Sequence, residues 1–82
     1  MNQIEQIANE EGKKLYKENN IEYKFDHYDE EVKLVFVKQT NFAGGLLTHK
    51  MLAPLVERLQ KINRRWYMGI MTNAKTLKRQ MQ

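Results

Sequence analysis

The first regular pattern in the sequence is a stripe of apolar residues near the N-terminus. These residues fall on one helical face between Ile4 and Leu15. Asn2 followed by Glu5 has the spacing of a capping box, in which the first side chain accepts a hydrogen bond from the backbone of the first turn. The Asn-Asn pair at 19–20 tolerates the left-handed conformation that ends many helices. A helix is therefore predicted over about residues 3–18.

From residue 21 the period of the apolar positions changes to two, which is typical of β-strands. The alternation predicts an antiparallel hairpin with strands at about 21–28 and 31–39. A turn at Asp29-Glu30 would give a coherent register, with opposite charges on one face and apolar pairs on the other. The apolar pairs in that register are His27/Val32, Phe25/Leu34 and Tyr23/Phe36, and the charged pair is Asp26/Lys33. Val35 and Val37 indicate that the other face is also partly covered.

The helical period returns at Met51–Trp66, and the chain is organised around this stretch. Five residues spaced by three and four positions form what we call the apolar seam: Leu52, Leu55, Leu59, Ile62 and Trp66. Pro54 suits a first helical turn because its φ angle is fixed. The main helix is predicted to begin at 47 or 54 and to end at 66, after a loop at Thr40–Gly45.

Two alternatives remain open after the seam. The aromatic and branched residues at 66–72 favour a third strand, whereas the spacing 62, 66, 70, 74 would continue the helix. We expect a break near Gly69, followed by a short C-terminal helix with Ala74, Leu77 and Met81 on its apolar side. The predicted fold class is α+β, in a single small domain spanning residues 1–82.

Length and composition limit the chemistry available. A chain of 82 residues without cysteine is near the size at which one core is only marginally stabilising, so a homodimer is a reasonable expectation. No segment approaches the roughly 18 apolar residues of a membrane span. The first residues lack the basic and apolar parts of a signal peptide, which favours a cytoplasmic location.

The charge is unevenly distributed along the chain. Residues 1–35 contain nine of the ten acidic residues and have a net charge of −4, whereas residues 36–82 have a net charge of +8. The basic C-terminal half predicts an anionic partner, which includes an acidic protein, a nucleic acid or an anionic membrane surface. In the alternative interpretation, the two halves face each other, within one chain or across a dimer, or the charge serves only solubility. The candidate basic surface comprises Arg58, Lys61, Arg64, Arg65, Lys75, Lys78 and Arg79.

Catalytic and metal-binding signals are absent from the sequence. There is neither Cys nor Ser, the two commonest nucleophiles, and His27 and His49 fall in different predicted elements. Two histidines alone do not make a zinc site. The acidic residues around the hairpin turn lack the spacing and glycine of a calcium loop. We therefore expect no enzyme activity, no metal, no cofactor and no small-molecule substrate.

Two functional hypotheses follow. The first is a non-enzymatic accessory or regulatory protein that binds an acidic protein partner as a homodimer, with affinity from apolar surface and selectivity from the basic half. In size and composition alone, the chain resembles the small accessory proteins that phages make to bind and modulate another protein. The second is a nucleic-acid-binding protein, because Arg64-Arg65-Trp66-Tyr67 combines guanidinium groups with rings that can stack on bases. The partner, the symmetry and a cellular or viral origin are left open.

Overall fold

The computed structural model describes residues 2–71 and has the predicted α+β fold. Helix α1 spans Gln3–Asn19 and is followed by strands β1 (Glu22–Asp29) and β2 (Leu34–Asn41). A short 3-10 turn (Lys50–Leu52) leads into helix α2 (Ala53–Ile62), and strand β3 (Tyr67–Met71) follows. The strand alternative at 66–72 is thus confirmed. The expected break near Gly69 is wrong, because Gly69 lies within the regularly paired β3. The predicted C-terminal helix lies outside the described residues.

Helix α1 begins and ends through the residues that the sequence indicated. The Asn2 side chain accepts a hydrogen bond of 2.8 Å from the Glu5 backbone N–H, which satisfies one of the free donors of the first turn. Asn20 adopts the left-handed conformation, with φ of 59°, and its N–H donates to the Tyr16 carbonyl oxygen at 2.8 Å. Both ends of α1 are therefore fixed by local side-chain and backbone chemistry.

The three strands form one sheet in the order β1-β2-β3. β1 and β2 are antiparallel, as predicted, whereas β2 and β3 are parallel. A parallel pair needs a long crossover connection, and the segment containing α2 provides it. Both helices pack on one face of the sheet, which we call the inner face, and the opposite side is the outer face. The inner face carries the fully buried Val35 and Val37.

The hairpin is confirmed, but its predicted register is wrong. The observed partners include Phe25 with Val37 and His27 with Phe36. The chain turns over residues 30–33, where Asp29 accepts backbone hydrogen bonds and Lys33 has φ of 60°. An irregularity in the ladder between Phe25 and His27 leaves Asp26 as an extra residue. Phe25 therefore faces the core while His27 lies on the outer face, which a strict alternation cannot produce.

The predicted loop at 40–45 is held tightly against α1. β2 continues to Asn41, and the Gln39 side chain then fixes the following backbone, accepting from the Leu47 N–H at 2.7 Å and donating to the Gly45 oxygen at 2.6 Å. A Cβ atom on Gly44 would lie 2.2 Å from the Asn19 carbonyl oxygen. The glycine therefore serves a close approach between two backbone segments.

Four of the five seam residues are buried, although the helix is shorter than predicted. Leu52, Leu55 and Leu59 are at most 2 % exposed. α2 ends at Ile62 because Asn63 adopts an extended conformation, and Ile62 is 44 % exposed. Trp66 lies beyond the end of α2, but its side chain is also buried. Its ring is edge-on to the Tyr28 ring, at a centroid distance of 6.0 Å.

Candidate interaction surfaces

The first residue of the predicted basic surface, Arg58, is neutralised within the chain. Its Nη1 atom lies 3.0 Å from carboxylate oxygens of both Glu10 and Glu11, so it joins α2 to α1. Donation of a hydrogen bond to Glu11, and then to Glu10, raises the pKa of Arg58. Hydrogen bonds from Gln6 and then Arg58 lower the pKa of Glu10. Here the acidic and basic halves do face each other, as the alternative interpretation of the charge asymmetry predicted.

Three other predicted basic residues lie together at one end of the sheet. Lys61 is in the last turn of α2, and Arg64 and Arg65 lie in the connection to β3. All three are exposed, and none forms an ion pair within residues 2–71. Asn63 shapes this connection, because its side-chain oxygen accepts from the Arg65 N–H at 2.9 Å. Lys75, Lys78 and Arg79 lie outside the described residues.

Trp66 does not provide a free ring for stacking. It is 2 % exposed and is covered by Lys33, whose Nζ lies 5.4 Å from the ring centroid. Gln60 also donates to the Trp66 carbonyl oxygen at 3.0 Å. The adjacent Tyr67 is 49 % exposed and stacks on His49 at a centroid distance of 5.9 Å. Of the two aromatic residues in the Arg64–Tyr67 motif, Tyr67 alone is accessible.

The outer face of the sheet carries two stacked rings, which extend from β1 across β2 to the backbone of β3. His27 on β1 stacks on Phe36 of β2, with ring centroids 4.6 Å apart and planes inclined by 17°. The Phe36 ring in turn leans over Gly69 of β3, where an added Cβ would lie 2.8 Å from two ring carbons. Leu34, Phe36 and Met71 are only half-buried. Within residues 2–71 no helix covers this face, since α1 and α2 both pack on the inner one.

Two lysines stand directly opposite each other at one end of the outer face. Lys24 of β1 and Lys38 of β2 are cross-strand partners and both are exposed. Like charges at directly opposite positions destabilise a sheet, and nearby anionic groups would relieve the repulsion. Neither lysine forms an ion pair within residues 2–71: the carboxylate of Asp26 pairs with His27, and that of Glu22 accepts a hydrogen bond from Thr40 at 2.9 Å. This end of the outer face therefore has the electrostatics of a site for a negatively charged group.

An open depression of about 410 Å³ between α1 and the start of α2 is lined by mixed charges, including Glu11, Lys14 and Lys50. Residues 2–71 contain no cluster of three or more His, Cys, Asp or Glu side chains that could hold a metal ion. No helix in that part of the chain is long and apolar enough to cross a membrane.

Comparison with protein-family models, with curated proteins and with solved structures finds no match for this chain. The surfaces of the chain itself are therefore the guide to its function.

Sequence reasoning missed the outer face, because the register it used placed Phe25 and Phe36 together in the core. One signal was present. Val35 and Val37 belong to the alternation opposite Leu34 and Phe36, so both faces of β2 are apolar. The sequence indicated a second apolar face, but it did not determine which face the helices would cover.

Proposed function

We propose that this chain is a non-enzymatic accessory protein that acts as a homodimer and binds a protein partner with acidic and apolar side chains on the outer face. The observation that carries the proposal is the juxtaposition on that face of half-buried Leu34, Phe36 and Met71 with the opposed Lys24 and Lys38. Residues of a partner that cover the apolar side chains would provide affinity. Carboxylates placed near the lysines would provide orientation.

The exposed cations at the other end of the sheet support the same choice of partner. Lys61, Arg64 and Arg65 add positive charge that is not neutralised within residues 2–71. Such charges accelerate the encounter with an acidic protein more than they tighten the final complex. We expect their substitution to slow association and substitutions at Phe36 to accelerate dissociation.

The second candidate function is single-stranded nucleic-acid binding, favoured by the accessible Tyr67 next to Arg64 and Arg65. Lysine and arginine contacts to phosphates release counterions, so this activity would weaken steeply with salt. The nucleic-acid hypothesis drawn from the sequence used Trp66 and Arg58. In the structure Trp66 is buried, and Arg58 forms ion pairs with Glu10 and Glu11. We therefore rank nucleic-acid binding below protein binding.

The two functions are separated by titrations of the full chain with two probes, followed by NMR amide shifts and fluorescence anisotropy. One probe is a peptide with alternating acidic and apolar residues, and the other is a mixed-sequence single-stranded RNA or DNA. If the chain binds protein, the peptide should change the chemical shifts of outer-face amides. Phe36→Thr should lower the affinity for the peptide by about tenfold, which corresponds to a loss of about 1.4 kcal/mol. Tyr16→Ser is the matched control, because Tyr16 is an exposed ring on α1.

Two outcomes would contradict the first candidate. One is the absence of peptide-induced shifts on the outer face. The other is oligonucleotide binding at about 50 mM salt that is lost in the Arg64→Glu/Arg65→Glu variant, which would establish the second candidate instead.

A further inference from the structure

The edge of β3 that faces away from β2 has a defined set of backbone groups that are unpaired within residues 2–71. The Tyr67 N–H donates to the Lys33 carbonyl oxygen at 3.0 Å, on the β2 side. Because backbone groups alternate along a strand, Gly69 and Met71 face β2 as well, while the N–H and C=O groups of Met68 and Ile70 face away from it. No backbone partner for these four groups occurs within residues 2–71.

The side chains of β3 do nothing to protect this edge. Tyr67–Met71 reads YMGIM and contains no charged residue and no proline, and its pairing with β2 is regular. Proteins usually block exposed edges with charges, prolines or bulges, because an unprotected edge is a template for another strand. YMGIM has none of these three features, so only its short length of five residues limits the approach of another strand.

We propose that the edge of β3 pairs antiparallel with β3 of a second copy, about a two-fold axis at Gly69. In this register Met68 lies opposite Ile70 of the second copy, and Ile70 lies opposite Met68. Both residues point their backbone groups outward, so the two pairs exchange four N–H···O=C hydrogen bonds. The proposal rests on the homodimer part of the proposed function and identifies the surface that forms it.

The sequence of β3 is complementary to itself in this register. Met68 and Ile70 form two apolar cross-strand pairs on the inner side, where Met68 is 2 % exposed and Ile70 is half-buried. On the outer side Tyr67, whose ring also stacks on His49 of its own chain, is the cross-strand partner of Met71 of the second copy. Gly69 faces Gly69, which leaves room for the Phe36 ring that leans over it. Each pair is apolar or without a side chain, so a second copy fits this edge without an unpaired charge.

Such a dimer would contain a continuous six-stranded sheet. The two outer faces would join at β3, and both sets of exposed arginines would lie on one assembly. An isologous interface is the commonest form of homo-oligomer and needs only one self-complementary patch.

The first test is the oligomeric state of the full chain by sedimentation equilibrium. We expect a dimer that weakens by about 30-fold in Ile70→Pro, because each copy loses one of the two N–H donors that it gives to the interface. The Ile70 N–H faces away from β2, so proline there leaves the β2–β3 hydrogen bonds intact. Ile70→Ala is the matched control, since it also removes the side chain but keeps the donor, and we expect it to remain dimeric.

The second test uses the absence of cysteine from the chain. In Tyr67→Cys/Met71→Cys the two thiols come from directly opposed residues of different copies, at a separation that a disulfide can span. Mild oxidation should then give a covalent dimer. Neither single variant should do so, because each residue is far from its own equivalent in the antiparallel register. This test also decides the question if Ile70→Pro and Ile70→Ala fail to fold.

Three results would overturn the proposal. The first is a monomeric wild-type chain at about 100 μM, a concentration at which a micromolar dimer is formed. A monomer whose Met68 and Ile70 amides are protected from hydrogen exchange would assign the edge to another segment of the same chain. A dimer that persists in Ile70→Pro, without disulfide formation in the double-cysteine variant, would leave the homodimer of the proposed function in place but locate it elsewhere.

Discussion

β1 and β3 both form edges of the same sheet, but their sequences treat that position differently. β1 is eight residues long, carries Glu22, Lys24, Asp26 and Asp29, and has two irregularities in its pairing with β2. β3 is five residues long, uncharged and regularly paired. Charges and bulges discourage the approach of another strand, whereas a flat apolar edge invites it. The comparison indicates that this sheet has one edge that is protected and one that is suited to association.

The contacts of β1 and β3 with the helices on the inner face also differ. Over β1, the buried Tyr23 side chain reaches into α1, where its hydroxyl donates to the Ala8 carbonyl oxygen at 2.7 Å. Gly12 permits this approach, because a Cβ there would lie 3.2 Å from the ring. On the β3 side, α2 contributes the aliphatic side chains Leu55 and Leu59. The β1 side is therefore positioned by a directional hydrogen bond and the β3 side by apolar packing.

The largest expected effect is on the β3 side, in Leu59→Ala. Leu59 is fully buried, so we expect a loss of about 3 kcal/mol in the free energy of unfolding, from lost burial and the resulting cavity. Ile62→Ala is the matched control within the same seam, and its exposure predicts a loss of about 0.5 kcal/mol. Chemical denaturation measures both values. Equal losses would show that α2 does not pack as described.

Gly69→Ala is expected to have the next largest effect. Alanine usually improves on glycine in a strand, but here the new Cβ would lie 2.8 Å from the Phe36 ring, which is held by His27 on its other side. We expect a destabilisation of about 1.5 kcal/mol. In a Gly69→Ala/Phe36→Ala double mutant, the cost of the first change should largely disappear. Additive effects in this double-mutant cycle would contradict the contact.

On the β1 side, Tyr23→Phe is expected to cost about 1 kcal/mol at neutral pH, the value of a lost hydrogen bond to Ala8. Burial, with a smaller contribution from Glu11, raises the pKa of Tyr23 above its ordinary value of 10.0. The unfolded chain then loses this proton at a lower pH than the folded chain, so stability falls as the pH rises above 10. Denaturation at several alkaline pH values should show this fall in the wild type and a smaller one in Tyr23→Phe. Indistinguishable slopes would mean that Tyr23 is not buried as a neutral hydroxyl.

The smallest expected effect is a stabilisation on the protected edge. Lys24→Glu replaces the repulsion between Lys24 and Lys38 with an attraction, and should add about 0.5 kcal/mol to the free energy of unfolding in low salt. The gain should shrink as salt is added. Lys13→Glu on α1 is the control for the change in net charge, since Lys13 forms no ion pair within residues 2–71. A loss of acidic-peptide binding in Lys24→Glu alone would connect this edge to the proposed function.

The sequence was most informative where local chemistry decides the structure. Asn2 and Asn20 set the ends of α1 through side-chain acceptance and a left-handed backbone, and Pro54 marks the start of α2. Leu55 and Leu59, which the apolar spacing placed on one side of the main helix, are buried in α2. These features depend on residues within one or two turns of each other, so a single sequence contains the information.

Tertiary structure decided the features that depend on distant residues. Because Asp26 is an extra residue in β1, Tyr23 and Phe25 lie on the inner face of the sheet and His27 lies on the outer face. The strand pattern alone contains no signal for this extra residue. Trp66 has the spacing of a helical residue, but the helix ends before it and the ring is buried against Tyr28. The parallel pairing of β3 with β2, which leaves YMGIM on an edge, follows from the path of the crossover. Within a helix, local periodicity determines which side chains share the buried side, whereas strand order and register depend on long-range packing.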